Sequence, residues 1–216
     1  MNAKIGIIGS GNVGKTLAGG FVKHGHEVML GTRDTSKTDL VKWANESKVK
    51  LGNFSDTAKF GEIVVVSTLY RGTENALKLA GPENFKGKVV IDTTNPIADV
   101  PPNDGVLTYI VGLNNSAGQE VQKLLPTAHV VKAFNSVGAG FMVNPKFEEG
   151  IPTMFICGND SNSKKTVTDI LTKFGWDTQD CGPIQAAASL EALCIIWCSR
   201  GFRENQWSHA FKLLKK

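Results

Sequence analysis

The chain has 216 residues, 41% of them hydrophobic and 20% charged, with a formal net charge of +4. That length suits one well-buried α/β domain, and a mild positive excess without any basic block excludes a nucleic-acid binder while suiting a small anionic ligand. No apolar run approaches the roughly 20 residues that a spanning helix needs, and Cys157, Cys181, Cys194 and Cys198 form no CxxC pair, so no membrane partner, disulfide scaffold or metal site is expected, and the location is cytoplasmic.

Residues 4–8 read as a short buried strand with no charged or apolar leader ahead of it, so no targeting segment is expected. A glycine-rich turn, a helix over 13–23 ended by His24 and Gly25, and a strand over 27–30 complete a βαβ unit with a right-handed crossover. A helix over 39–47, a third strand over 49–51 and a short helix starting at Ser55 and Asp56 follow. Residues 62–67 are β-branched almost throughout, which predicts a central strand covered on both faces. A helix over 73–80 stops at Gly81 and Pro82, and a strand covers 88–92. Residues 92–112 carry Pro96, Pro101, Pro102 and Gly105 and read as a long loop. A helix over 116–125 and a sixth strand over 129–133 come next, with Lys132 read as facing a polar surface.

The remainder predicts a strand over 152–157 and an amphipathic helix over 161–174 with a serine cap. A strand over 176–180, an apolar helix over 184–199 and a last helix over 203–214 close the chain. The alternation is that of an α/β chain, a Rossmann-type doubly wound and mostly parallel sheet. The dinucleotide-binding domain is expected over 1–150, and 151–216 as a small C-terminal α/β extension packed on the same sheet, not an independent domain.

The first turn, Gly9-Ser10-Gly11-Asn12-Val13-Gly14, fits GxGxxG at every fixed position. Gly9 permits the tight turn, Gly11 lets a pyrophosphate approach the backbone, and Gly14 allows close helix–strand packing. The helix behind it offers free N–H groups and the positive end of its dipole. The pattern alone is weak; its place between a strand and a helix gives it force.

An NAD site usually carries an acid at the end of the second strand, for the ribose 2′-hydroxyl. Here that end reads Leu30-Gly31-Thr32-Arg33-Asp34, with Lys37 four residues beyond Arg33. A hydroxyl and a guanidinium attract a 2′-phosphate, so the expected cofactor is NADP(H). The other strand-end loops carry Ser67, Thr68 and Leu69, then Asn95 and Pro96, then Ala133, Phe134, Asn135 and Ser136. Leu69 and Pro96 suit packing against ribose or nicotinamide. Thr68, Asn95 and Asn135 suit bonds to ribose or carboxamide, or equally the capping of local turns. No acid–base pair stands out, so no catalytic side chain is assigned.

On these motifs the chain resembles the deazaflavin (coenzyme F420)-dependent NADP oxidoreductases, and is similar to the NADPH-flavin domain of the STEAP metalloreductases. The matching segments are residues 5–14, Gly31-Thr32-Arg33, 130–135, 157–161 and 180–183. The resemblance implies that Thr32, Arg33 and Lys37 hold the 2′-phosphate, that Ser10, Asn12 and Val13 contact the pyrophosphate, and that the loop 133–136 lies beside the nicotinamide. It implies a flavin (FMN or FAD) or deazaflavin as second cofactor, and a homodimer. The deazaflavin enzymes often carry His where Asn135 stands, and Asn135 is nearer the metalloreductase version. Two readings stand beside hydride exchange with a flavin or deazaflavin: reduction of a small carbonyl or imine, and non-catalytic sensing of NADP(H).

Overall fold

Short β-branched runs alternate with amphipathic helices through most of the chain, and a doubly wound sheet is how such an alternation buries both kinds of element. The computed structural model describes residues 2–112 and 114–215, so Met1 and Lys216, the outer ends of the two expected segments, lie outside the described residues. The elements are β1 (Lys4–Ile8), α1 (Asn12–Lys23), β2 (Glu27–Gly31), α2 (Thr38–Ser47), β3 (Lys50–Gly52), α3 (Phe54–Phe60), β4 (Ile63–Val66) and α4 (Tyr70–Ala80). They continue with β5 (Val89–Asp92), α5 (Ala117–Leu124), β6 (His129–Lys132), β7 (Thr153–Gly158), α6 (Ser161–Lys173), β8 (Asp177–Asp180) and α7 (Ala187–Glu204).

All eight strands form one sheet, ordered β3-β2-β1-β4-β5-β6-β7-β8. The first six are parallel. Strand β7 runs against β6, with Lys132 opposite Cys157, and β8 runs parallel to β7. The Rossmann-type, mostly parallel sheet expected from the sequence is therefore the observed one. Successive strand residues face opposite sides. Val65 and Val131 join Leu17, Phe21 and Phe174 in one core, while Val64, Val66 and Val130 join Ala58, Leu77, Val121 and Leu190 in the other.

Three local readings need correction. The cap of α6 is Asp160, whose carboxylate accepts the Ser163 N–H at 2.7 Å, not a serine; the helix starts one residue after the acid. The apolar helix begins at Ala187, after a short 3-10 turn, and runs on to Glu204. No helix forms over 203–214 as a unit. Asn205 turns left-handed (φ 52°), and the Trp207 ring then folds onto Gly201, where a β-carbon would lie 2.2 Å from it. Beyond it the Phe211 carbonyl accepts the Thr153 N–H at 2.8 Å, so β7 and α7 hold this segment, overriding its helical pattern.

Candidate functional site

The carboxyl ends of the parallel strands meet above the switch point, where β1 and β4 lie side by side and the order reverses. Gly9 leaves β1 at φ +118°, and a β-carbon there would lie 2.7 Å from the Ser67 carbonyl oxygen. A β-carbon on Gly14 would sit 2.0 Å from the Gly9 carbonyl oxygen. Both glycines are therefore demanded by the fold. Gly11 differs: a β-carbon on it would meet nothing within 4 Å, and its backbone is extended. The space above it belongs to no protein atom. Gly11 also occupies the cap position of α1, where no side chain satisfies the first N–H groups and the first turn holds no acid. An uncapped helix end of this kind can take an anion. Ser10, Asn12 and Val13 stand around it, and the Ser67 hydroxyl, donating to the Ile8 and Gly9 carbonyls at 3.3 and 3.2 Å, fastens it to β4.

At the end of β2 the Thr32 hydroxyl is nearly buried, 3.3 Å from the Ser10 hydroxyl, and accepts the Asp34 N–H. Arg33 and Lys37 are exposed, and neither has a carboxylate partner among the described residues. Asp34, the nearest acid in sequence, is turned into its own loop. It accepts the Ser36 hydroxyl at 2.6 Å and the Ser36 N–H at 2.9 Å, bonds that hold its pKa below the usual carboxylate value. The local field is thus positive, and an arginine fork with a hydroxyl beside it suits a phosphate monoester.

The three other loops are brought to the same rim, with unequal side-chain freedom. Leu69 is 72% exposed, whereas Pro96 is buried. The Thr68 hydroxyl pairs with that of Thr73 at 2.7 Å. The Asn95 amide donates to the Asn135 carbonyl at 2.8 Å, and the Asn135 amide donates to the Leu190 carbonyl at 2.8 Å. Both asparagines therefore tie loops together, while Asn135 Oδ1 is left buried without a partner. Ala133, Asn135 and Ser136 are buried. The Phe134 ring points into the core against Phe174, its backbone is left-handed (φ 62°), and its N–H donates to the buried Met154 sulfur, so its side chain is closed to a ligand.

The reading of Lys132 as a surface residue is wrong. It is fully buried and pairs with Asp92 at 2.9 Å and Glu191 at 2.7 Å. Burial pulls its pKa down, but the two carboxylates win and raise it, so it stays charged. Burial raises the pKa of Glu191, against the pull of Lys132. Asp92 also accepts the Thr94 hydroxyl and N–H. Sequence reasoning missed Asp92, Glu191 and Tyr109. The usable signal was an unmatched Lys inside the apolar run Val130–Phe134, in register with an acid ending the neighbouring strand. Among the described residues no group of three His, Cys, Asp or Glu is placed to hold a metal ion, and no helix is long and apolar enough to cross a membrane.

The arrangement can bind a dinucleotide with a phosphorylated adenosine ribose and shelter its other half against the β5 and β6 loops. Known proteins agree in outline. Residues 4–96 match the family described as NADP oxidoreductase, coenzyme F420-dependent. A solved structure from Arthrobacter sp. FB24, described as a candidate F420-dependent NADP-reductase, is 32% identical and superposes with a TM-score of 0.92, covering 99% of this chain and 100% of its own. The F420-dependent NADP reductase of Methanothermobacter marburgensis is 25% identical over 201 residues, 88% of either chain. Metalloreductase STEAP3 of Rattus norvegicus is 25% identical over 191 residues, 88% of this chain but 36% of that protein's length.

Proposed function

Because the chain belongs to the coenzyme F420-dependent NADP oxidoreductase family, we propose that it passes hydride between NADP(H) and a flavin or deazaflavin, with F420 the first acceptor to try. The observation that carries this reading is the end of β2, where Thr32 and two cations without carboxylate partners among the described residues stand beside an uncapped helix with open space above Gly11. Thr32, Arg33 and Lys37 take the 2′-phosphate, and Ser10, Gly11, Asn12 and Val13 take the pyrophosphate through backbone N–H groups. Leu69 and Pro96 flank the ribose and nicotinamide side, and the 133–136 main chain backs the nicotinamide.

The bound dinucleotide and its ring partner supply the redox chemistry. The protein's share is to fix two ring systems within reaction distance and keep water from between them. The chain spans only about a third of the metalloreductases, so a metal acceptor belongs to those longer proteins and is not carried over.

Two copies pairing through α7 complete this reading. Its outward face exposes Ile196 and Phe202, and Ile196 lines a shallow cleft with Val106 of the long loop. Apolar residues grouped in this way support a partner surface. Four unpaired thiols support a reducing, cytoplasmic setting.

Arg33→Ala tests the cofactor assignment. Losing a charged hydrogen-bond pair of about 1.5–3 kcal/mol raises the KM for NADPH by roughly 10-fold or more. The KM for NADH stays near its original value. Equal effects on both cofactors would remove the assignment. Following NADPH oxidation with F420, FMN, FAD and a carbonyl and imine panel in turn identifies the acceptor class; turnover with carbonyls or imines alone overturns the flavin or deazaflavin assignment.

A further inference from the structure

A lysine in the middle of a sheet is costly unless its partners offset the lost water. Lys132 has two such partners, and they come from different elements: Asp92 ends β5, and Glu191 lies on α7. Glu191 does more than neutralise. Its carboxylate accepts the N–H groups of Ala117 and Gly118 at 3.1 and 3.0 Å, so it also caps α5. The same turn of α7 presents two main-chain carbonyls to the groove. The Leu190 carbonyl accepts Asn135, and the Glu191 carbonyl accepts the Tyr109 hydroxyl at 2.7 Å. That hydroxyl also stands 3.2 Å from Asn95 Oδ1.

These bonds share one geometric result. Helix α7 is bonded to α5 and to the loops after β5 and β6, and among the described residues no hydrogen bond or ion pair joins it to the α1 cradle or the end of β2. In a sheet of this order the β1–β2–β3 half carries the adenosine, and the β4–β5–β6 half carries the nicotinamide. We propose that Glu191 is a positioning residue for the nicotinamide half of the cofactor. Its carboxylate acts through Lys132, which also donates to the Thr94 carbonyl beside Asn95, and its main-chain carbonyl acts through Tyr109 and Asn95; the inference rests on the NADP(H) reading above. Small displacements of a ring about to exchange hydride cost rate steeply, and loops hold such a ring well only when their supports are rigid.

Glu191→Gln separates this role from a general one. The amide keeps the side chain's shape and one acceptor oxygen, and Lys132 keeps Asp92, so the remaining buried pair is neutral. Its nitrogen replaces one of the two oxygens that face Lys132, Ala117 and Gly118, so a circular-dichroism spectrum and a cooperative melting curve establish that the variant is folded before binding is read. The measurement is calorimetric binding of two ligands: 2′,5′-ADP, which carries only the adenosine end, and NADPH. In Glu191→Gln the affinity for 2′,5′-ADP stays within about twofold of the parent, while that for NADPH falls by about fivefold or more. Tyr109→Phe, which cuts one tie without touching a charge, moves the same difference in the same direction. Glu204→Gln, at the exposed far end of α7, moves neither. Unchanged affinity for both ligands in both test variants, or an equal loss for both ligands, overturns the proposal. A parent chain that binds neither ligand overturns the cofactor reading and this inference with it.

Discussion

Glycines 11 and 14 stand three residues apart and answer to different masters. Gly14 is required by the Gly9 carbonyl beneath it, whereas Gly11 is required by nothing in the protein. Gly14→Ala should therefore cost about 1–3 kcal/mol of stability by overpacking. Gly11→Asp should do the opposite: its backbone is already extended, and a carboxylate there caps α1 and meets the helix dipole, leaving stability equal or higher by up to about 1 kcal/mol. The same carboxylate occupies and repels a phosphate site, so NADPH binding should fall by roughly 100-fold. Denaturant unfolding and calorimetry on the two variants read both quantities. A Gly11→Asp chain that still binds NADPH normally would place the pyrophosphate elsewhere. At this scale the cradle was legible in the sequence, because a spaced glycine pattern encodes backbone geometry directly. The buried charge was not. Lys132 looks like any strand lysine until Asp92 and Glu191 are seen to close on it, and Glu191 lies 59 residues further on in an apolar helix.

Elements were read well where periodicity and caps agree. Helix α5, expected from 116, starts after Ser116, whose hydroxyl accepts the Gln119 N–H. Helix α3, expected from Ser55, starts one residue earlier at Phe54, because Asn53 caps it. Boundaries drifted where the cap was one residue away, as at Asp160, and the pattern failed where tertiary contacts decide. The 205–215 stretch is bound to β7 and folded over Gly201, and no local propensity announces that. Helix α7 has both kinds of surface: Leu190, Cys194 and Trp197 face inward, and Ile196 faces out, 59% exposed. If copies pair through it, Ile196→Lys should convert a dimer into a monomer, since like charges would meet across a two-fold interface. Light scattering gives the mass directly; a monomeric parent, or a lysine variant that stays dimeric, rules this helix out as the joint.

For the molecule as a whole, one titration site lies at the far end of the sheet from the groove. His26 packs edge-on against Phe21 and accepts the Ala3 N–H, and burial, then the nearby Lys173 charge, depress its pKa below 6.5. Above pH 6.5 it is neutral folded or unfolded. As pH falls through 6.5 toward the lower folded value, the unfolded chain takes the proton first, so stability declines. The melting temperature should drop between pH 7.5 and 5.5 more steeply in the parent than in His26→Asn; parallel curves would assign the acid sensitivity to other groups. The global topology was readable because strand and helix alternate so regularly up to β6. The strands and helices beyond β6 were legible as elements up to α7, but the direction of β7 required the structure, since nothing in the residues 133–152 announces that it returns antiparallel. The two outermost strands of that sheet have a consequence of their own. β3 is three residues long and β8 reads Asp177-Thr178-Gln179-Asp180, a brief ribbon with an acid at each end. Such margins offer a foreign strand little length to zip onto and charges it must bury, which disfavours sheet-to-sheet growth into fibres.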